Sequence, residues 1–196
     1  MKFFVLLSAL FVSLSAFSGW NEDFAELKKI PRDYNDAGSI CEEVARLDMQ
    51  RAYPGPQYKV EVGIAYADEE RTIGELDIII FDTNMNKVYK VAEVKCWKDV
   101  RGGLKKAREQ RARFVSNVHS NKVLQFRSTS TGQYYEQNQF QNITEFFSIA
   151  QKGSEAVGFD VELNYSLSEL KQYRKDMIRC QNRGECASPY NKKRAH

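Results

Sequence analysis

GELDIIIFDTNMNKVYKVAEVKCW, residues 74–97, reads as two apolar strands joined by a polar turn, yet Asp77, Glu93 and Lys95 stand among residues built for burial. The spacing predicts strands at about 75–82 and 87–97, with Thr83-Asn84-Met85-Asn86 as the hairpin turn. Both runs are apolar on both faces in places, the pattern of central strands covered from each side. Side chains alternate along a strand, so Glu93 and Lys95 project together while Val94 points the other way. With the Asp77 strand alongside, two carboxylates and an ammonium converge at one spot. Two buried anions are costly unless a divalent cation or a paired positive charge compensates them. Oxygen-only ligands select Mg2+ or Mn2+ over zinc, and the Val94 carbonyl is a further candidate ligand.

Working outward, Ser39-Ile-Cys-Glu42 fits a capping box that opens a helix over about 40–52, with Ile40, Val44 and Leu47 on one face. Pro54-Gly55-Pro56 ends it and begins a strand, YKVEVGIAY, in which Tyr58, Val60, Val62, Ile64 and Tyr66 alternate. After the hairpin, Gly102-Gly103 precedes a helix with Leu104, Ala107, Phe114, Val115 and Val118 inward, and KVLQFRS (122–128) is a strand. The order is helix, three strands, helix, strand. Residues 19–38 form a lead-in with a short helix before Pro31. Beyond Gly132 the pattern predicts a helix over about 144–150, a strand at AVGFDVEL (156–163), and a helix to about Arg179 opened by a second capping box, Ser166-Leu-Ser-Glu169. No repeat of fixed period is present, so the chain is read as one domain with a C-terminal extension and basic tail, 131–196.

Residues 1–18 have the form of a signal peptide: one lysine, an apolar run, then Ala16-Phe17-Ser18 with the small-x-small spacing that signal peptidases read. An uncleaved anchor is the alternative, but the run is short for a span of ~20 residues and no second apolar stretch follows. The expectation is a secreted or periplasmic protein without stable membrane association after cleavage. In an oxidising compartment the four cysteines are expected to form two disulfides. Cys180 and Cys186 enclose a short polar loop, which leaves Cys41 with Cys96; free buried thiols are the alternative. The net charge is only +3, yet Trp20–Glu93 holds 16 acidic and 9 basic residues and Lys95–Arg127 holds 10 basic and 2 acidic. That segregation suits an acidic pocket beside a basic surface, where metal ions meet a polyanion. Trp97 and Tyr134-Tyr135 suit either base stacking or the core, with the core expected.

Gly74-Glu-Leu-Asp77, followed by Glu93-Val-Lys95 at the end of the next strand, resembles the signature of the PD-(D/E)xK nucleases, and the flanking elements match that family's αβββαβ core over roughly residues 39–128. The proline of the name is absent, as in many members. The resemblance implies an α/β fold with a restriction-endonuclease-like core (39–130), a mixed central sheet flanked by helices, and a C-terminal α/β extension. It also implies metal-assisted phosphodiester hydrolysis, of DNA, with endonucleolytic attack expected. In resolvase-like and RecB-like branches a glutamate on the first helix reaches the metal, and a QxxxY motif follows ExK. Gln110-Arg-Ala-Arg-Phe114 is similar, with Phe114 in place of the tyrosine. Of the two helix acids, Glu42 has the cap to make and points away from the apolar face, whereas Glu43 faces the sheet; Glu43 is the expected ligand. Asp77, Glu93, Glu43 and the Val94 carbonyl are thus expected to hold one or two Mg2+ (or Mn2+) ions. Lys95 is expected to orient or deprotonate the attacking water, or to stabilise transition-state charge. Arg101, Lys105, Lys106, Arg108, Arg111 and Arg113 are expected phosphate contacts, sequence-independent and salt-sensitive. Arg111 falls near the apolar seam, so an internal ion pair is its alternative. A homodimer and an inhibitor or immunity protein are the partner classes implied. Alternatives are a non-catalytic nucleic-acid-binding module on the same fold and an effector delivered into another cell.

Overall fold

The computed structural model describes residues 19–190; the expected signal peptide and the end of the basic tail lie outside the described residues. It is an α/β structure with a seven-stranded mixed sheet flanked by helices. Helices α1 (Trp20–Leu27) and α2 (Ser39–Ala52) precede a meander of β1 (Tyr58–Ala67), β2 (Thr72–Asp82) and β3 (Lys87–Val94), and α3 (Val100–Val118) follows. Then come β4 (Gln125–Ser128), β5 (Tyr134–Tyr135), β6 (Glu145–Ala150), β7 (Val161–Glu162) and α4 (Leu167–Asn182). The strand order is β5-β4-β1-β2-β3-β6-β7. Strands β1 to β3 pair antiparallel, whereas β6 runs parallel to both β3 and β7. No helix among the described residues is long and apolar enough to cross a membrane.

Two cores cover the two faces. Ile40, Val44 and Leu47 of α2 pack with Leu170, Tyr173 and Met177 of α4 over Val60, Val62, Ile78, Ile80, Ala92 and Val94. On the other face Phe114 and Val118 of α3 pack with Ile64, Tyr66, Leu76, Ile79 and Phe126. Strand β1 therefore serves one core up to Val62 and the other from Ile64. The step between is Gly63, whose φ of +71° is in the left-handed region and whose Cβ would stand 2.3 Å from Thr129 Oγ1. Opposite it in the ladder lies Asp77, between Leu76 on one core and Ile78 on the other. The acid thus sits where the paired strands pass their side chains from face to face.

Two element expectations are corrected. The segment expected as a helix over 144–150 is strand β6, because its short apolar run fills the slot beside β3, with Lys90↔Glu145 to Val94↔Ile149 in register. Strand β4, after α3, pairs with β1 on the far side of the meander. Within 156–163 only Val161–Glu162 is strand. A 3-10 turn at Glu155–Val157 and Gly158, at φ +108°, bend the chain so that Asp160 reaches the Ser148 backbone. Of the two capping boxes, Ser166 forms: its side chain accepts from the Glu169 N–H, and Glu169 answers to the Ser166 N–H. Ser39 lies inside α2 and donates to the Asp36 carbonyl, with Gly38 at the N-cap and no side-chain cap.

Candidate active site

Asp77, Glu93 and Lys95 are all buried and meet at one point. Lys95 Nζ donates to Asp77 Oδ2 at 2.7 Å, to the Val94 carbonyl at 3.1 Å and to Glu93 Oε2 at 3.3 Å. Asp77 Oδ2 also accepts from the Val94 N–H at 2.8 Å, which locks the β2 acid to the end of β3. Strand β6 fixes that end from the other side, since the Lys95 N–H donates to the Ile149 carbonyl at 2.9 Å. The electrostatics follow from burial. Desolvation, and then the charge on Asp77, push the Glu93 carboxyl up to about 9, against a weaker opposing pull from Lys95. Burial would lower the Lys95 ammonium, but Asp77 and Glu93 outweigh it and hold the group protonated. Asp77 is thus the closer partner of the ammonium, and Glu93, at the longer distance, is the acid whose carboxyl is pushed up.

The two acids of α2 are both held by arginines, and neither caps the helix. Glu43 Oε2 accepts from Arg46 Nε at 2.7 Å, and its other oxygen lies 3.9 Å from Arg32 Nε. Buried in that arginine cage beside Tyr34, Glu43 is an internal ion-pair partner. Glu42, freed from the cap, pairs with Arg32 and lies within the field of Asp77. Burial first, then Asp77, raise its carboxyl to about 7 while Arg32 pulls it down. The charge of Asp77 therefore reaches Glu42. Cys41, the residue before it, is bonded to Cys96, the residue after Lys95, with Cα atoms 6.3 Å apart; Cys180 and Cys186 form the second disulfide.

Asp99 caps helix α3, its side chain accepting from the Gly102 N–H, so the glycine pair falls inside the helix at its start. Arg101, Lys105, Lys106, Arg108 and Arg113 are all exposed along it. Arg111 is exposed too, and its guanidinium lies over the Phe146 ring, so the ring takes the place of the acid considered for it. Gln110 Oε1 is buried and has no hydrogen-bond partner among the described residues. Phe114 is fully buried, 5.2 Å from the ring of Tyr66. Burial raises the Tyr66 phenol, Arg113 opposes, and Glu93 adds to the rise, so this tyrosine stands within reach of the site's charge. Its alternation with core residues hid it in the sequence. The hydroxyl also explains Gly74, because a Cβ there would stand 2.7 Å from it. Trp97 and Tyr134 are 45% and 66% exposed, against the expectation of burial, whereas Tyr135 stacks on Phe81.

The donor set suits a hard cation in chemistry: two carboxylates and a carbonyl oxygen already surround one positive charge. Among the described residues no group of three or more His, Cys, Asp or Glu side chains is gathered as a metal cluster. Comparison with family models, curated proteins and solved structures finds no match to this chain.

Proposed function

We propose that the chain is a secreted, metal-dependent nuclease of the PD-(D/E)xK type that hydrolyses phosphodiester bonds of DNA, on a restriction-endonuclease-like core formed by α2, β1–β3 and α3. One observation carries the reading: Asp77 Oδ2, Glu93 Oε2 and the Val94 carbonyl converge on a single buried cation, the Lys95 ammonium. A structural ion pair needs one acid per base and no backbone oxygen. A buried site with a surplus of oxygen donors and a proton held on one of them is arranged to exchange that proton for a divalent ion.

Asp77, Glu93 and the Val94 carbonyl would hold Mg2+ or Mn2+, with Glu42 in place of Glu43 as the α2 acid. Bound there, the ion supplies Lewis-acid polarisation of the phosphodiester and lowers the pKa of water. Lys95, released from its carboxylates, keeps its positive charge and donates hydrogen bonds to the oxygens on which negative charge develops. Arg101, Lys105, Lys106, Arg108 and Arg113 supply a basic face for neighbouring phosphates, so affinity falls steeply with salt. The two disulfides suit an oxidising compartment.

The test is digestion of circular and linear plasmid by the mature, oxidised protein with Mg2+, Mn2+ or EDTA, beside Asp77→Ala and Lys95→Ala. Metal-dependent cleavage lost in both variants supports the site, and attack on circles marks an endonuclease. Binding of nucleic acid without cleavage of DNA or RNA would replace the reading with a non-catalytic binding module.

A further inference from the structure

A cavity of about 170 Å3 opens beside Glu93 between α3 and β6. Its lining includes Leu104, Arg108 and Arg111 from α3, Phe146 from β6, and Asp160 from the bend before β7. The spacing of Leu104, Arg108 and Arg111 puts all three on one helical face. The two arginines therefore border a concavity shared with Glu93. Arg111 is oriented by Phe146, its guanidinium carbon 5.4 Å from the ring centre, a contact that engages none of its N–H donors. Among the described residues neither Arg108 nor Arg111 has a carboxylate within ion-pair distance. Asp160, the other acid of the cavity, is already committed: its Oδ2 accepts from the Ser148 N–H at 2.8 Å and from the Ser148 hydroxyl at 2.7 Å.

Two guanidinium groups without anionic partners, one of them held by an aromatic face, form an anion receptor. Its size selects the anion. The volume is several times the ~30 Å3 share of a water molecule, yet below the ~300–1,000 Å3 of sites that enclose a whole small molecule. A phosphate group fits that range, and it matches the guanidinium fork with paired hydrogen bonds. We propose that this cavity is a subsite for one phosphate of the substrate, held by Arg108 and Arg111 next to the phosphodiester broken at Asp77 and Glu93. The assignment of that phosphate to the substrate rests on the nuclease reading above. The group is either the next phosphate along the strand or a terminal phosphate at its end.

The first measurement needs no catalysis. Metal-free protein in EDTA is titrated with inorganic phosphate, with arginine side-chain N–H resonances as the readout and chloride at matched ionic strength as the control. Saturable shifts at Arg108 and Arg111 are expected, weakened at either one when the other is replaced by Gln and kept in Lys175→Gln, on the exposed side of α4. Absent or non-saturating shifts, or shifts that chloride reproduces, overturn the subsite whether or not the protein is a nuclease. The second measurement is the KM for closed circular DNA and for linear duplex with 5′-phosphate or 5′-hydroxyl ends. Arg111→Gln is expected to raise KM by roughly ten- to a hundredfold with kcat little changed, the effect of losing charge-assisted hydrogen bonds, and Arg111→Lys is expected to recover part. A rise on all three substrates assigns an internal phosphate, and a rise confined to the 5′-phosphorylated duplex assigns a terminal one. Unchanged KM on every substrate overturns the substrate role even if inorganic phosphate binds. A wild-type protein that cuts nothing refutes the nuclease reading, and with it the assignment of that phosphate to the substrate, and leaves anion binding in the cavity to be judged by the titration.

Discussion

Lys95 Nζ lies 2.7 Å from Asp77 Oδ2, and the two side chains are only 10% and 11% exposed. The ammonium is thus the counter-charge that lets the hairpin bury its acids. Lys95→Met keeps the stem and removes the charge, leaving Asp77 an uncompensated buried anion. In EDTA the variant should lose about 3–5 kcal/mol, the usual cost of deleting one partner of a buried pair. Urea unfolding checks this, and saturating Mg2+ should return part of the loss. An unchanged urea midpoint in EDTA would show that Lys95 is not the compensating charge.

The raised carboxyls set a pH dependence whose sign is opposite to that of an ordinary salt-bridged acid. Glu42 and Glu93 rise from an ordinary 4.5 to about 7 and about 9, and Asp48 rises to about 6, each chiefly through burial. The folded protein holds these protons where the unfolded chain releases them, so their contribution is complete below the unfolded values. It is lost as pH climbs through about 6, 7 and 9 in turn. In EDTA the Tm should therefore fall from about pH 5 to about pH 9, with Glu93→Gln flattening the upper part. With Mg2+ the fall should be shallower, because the cation takes the place of the protons. A Tm that rises or stays level over this range in EDTA would contradict the assignment of protonated carboxyls.

The charged hairpin was legible because strand alternation and the cost of burying charge are local rules, and Asp77, Glu93 and Lys95 obey them. The same S-x-x-E pattern read correctly at Ser166 and failed at Ser39. In the second case Arg32, ten residues upstream of Glu42, captures the acid through a contact that no local pattern encodes. Strand β6 failed for a related reason. Glu145–Ala150 is six residues long, and a short apolar run becomes strand or helix according to the slot it fills, here the open side of β3. That slot matters to the site, because β6 both holds the Lys95 backbone and supplies the Phe146 ring beneath Arg111. Tyr66 was hidden because it looked like a core position on its own strand, and for Arg111 the partner ring was not legible. Their placement beside Glu93 depends on the packing of α3 across β1 and β6.

The two disulfides should differ in both stability and effect on activity. Cys41–Cys96 closes 55 residues and Cys180–Cys186 closes 6. On the loop-entropy relation the first contributes about 4 kcal/mol and the second about 2 kcal/mol. Only the first joins the segment carrying Glu42 to the strand end carrying Lys95. Cys41→Ser/Cys96→Ser should lower the urea midpoint more than Cys180→Ser/Cys186→Ser, and should lose cleavage at urea concentrations where far-UV CD still reports a folded protein. Loss of activity and of structure at the same concentration would reduce the bridge to a stabilising role.

Glu42 and Glu43 provide the sharpest separation between structure-bearing and chemistry-bearing acids, because neighbouring residues of one helix are assigned opposite tasks. Glu43→Gln breaks the buried pair with Arg46, whose remaining partner is Gln50 at 2.7 Å, and should destabilise the fold by about 3–5 kcal/mol. Its metal-activation curve should stay in place when measured where the variant is folded. Glu42→Gln removes a carboxyl that burial and Asp77 already drive toward its neutral form. In EDTA near pH 8 its cost should therefore be small, since the repulsion it relieves offsets the hydrogen bonding that Arg32 loses. With Mg2+ the order reverses. Losing a ligand should weaken metal activation by at least the 10- to 100-fold seen for outer-shell partners, and Mn2+ binding measured calorimetrically should weaken with it. Retained metal affinity in Glu42→Gln together with its loss in folded Glu43→Gln would return the ligand role to Glu43, and would require α2 to rotate about its axis when the ion binds.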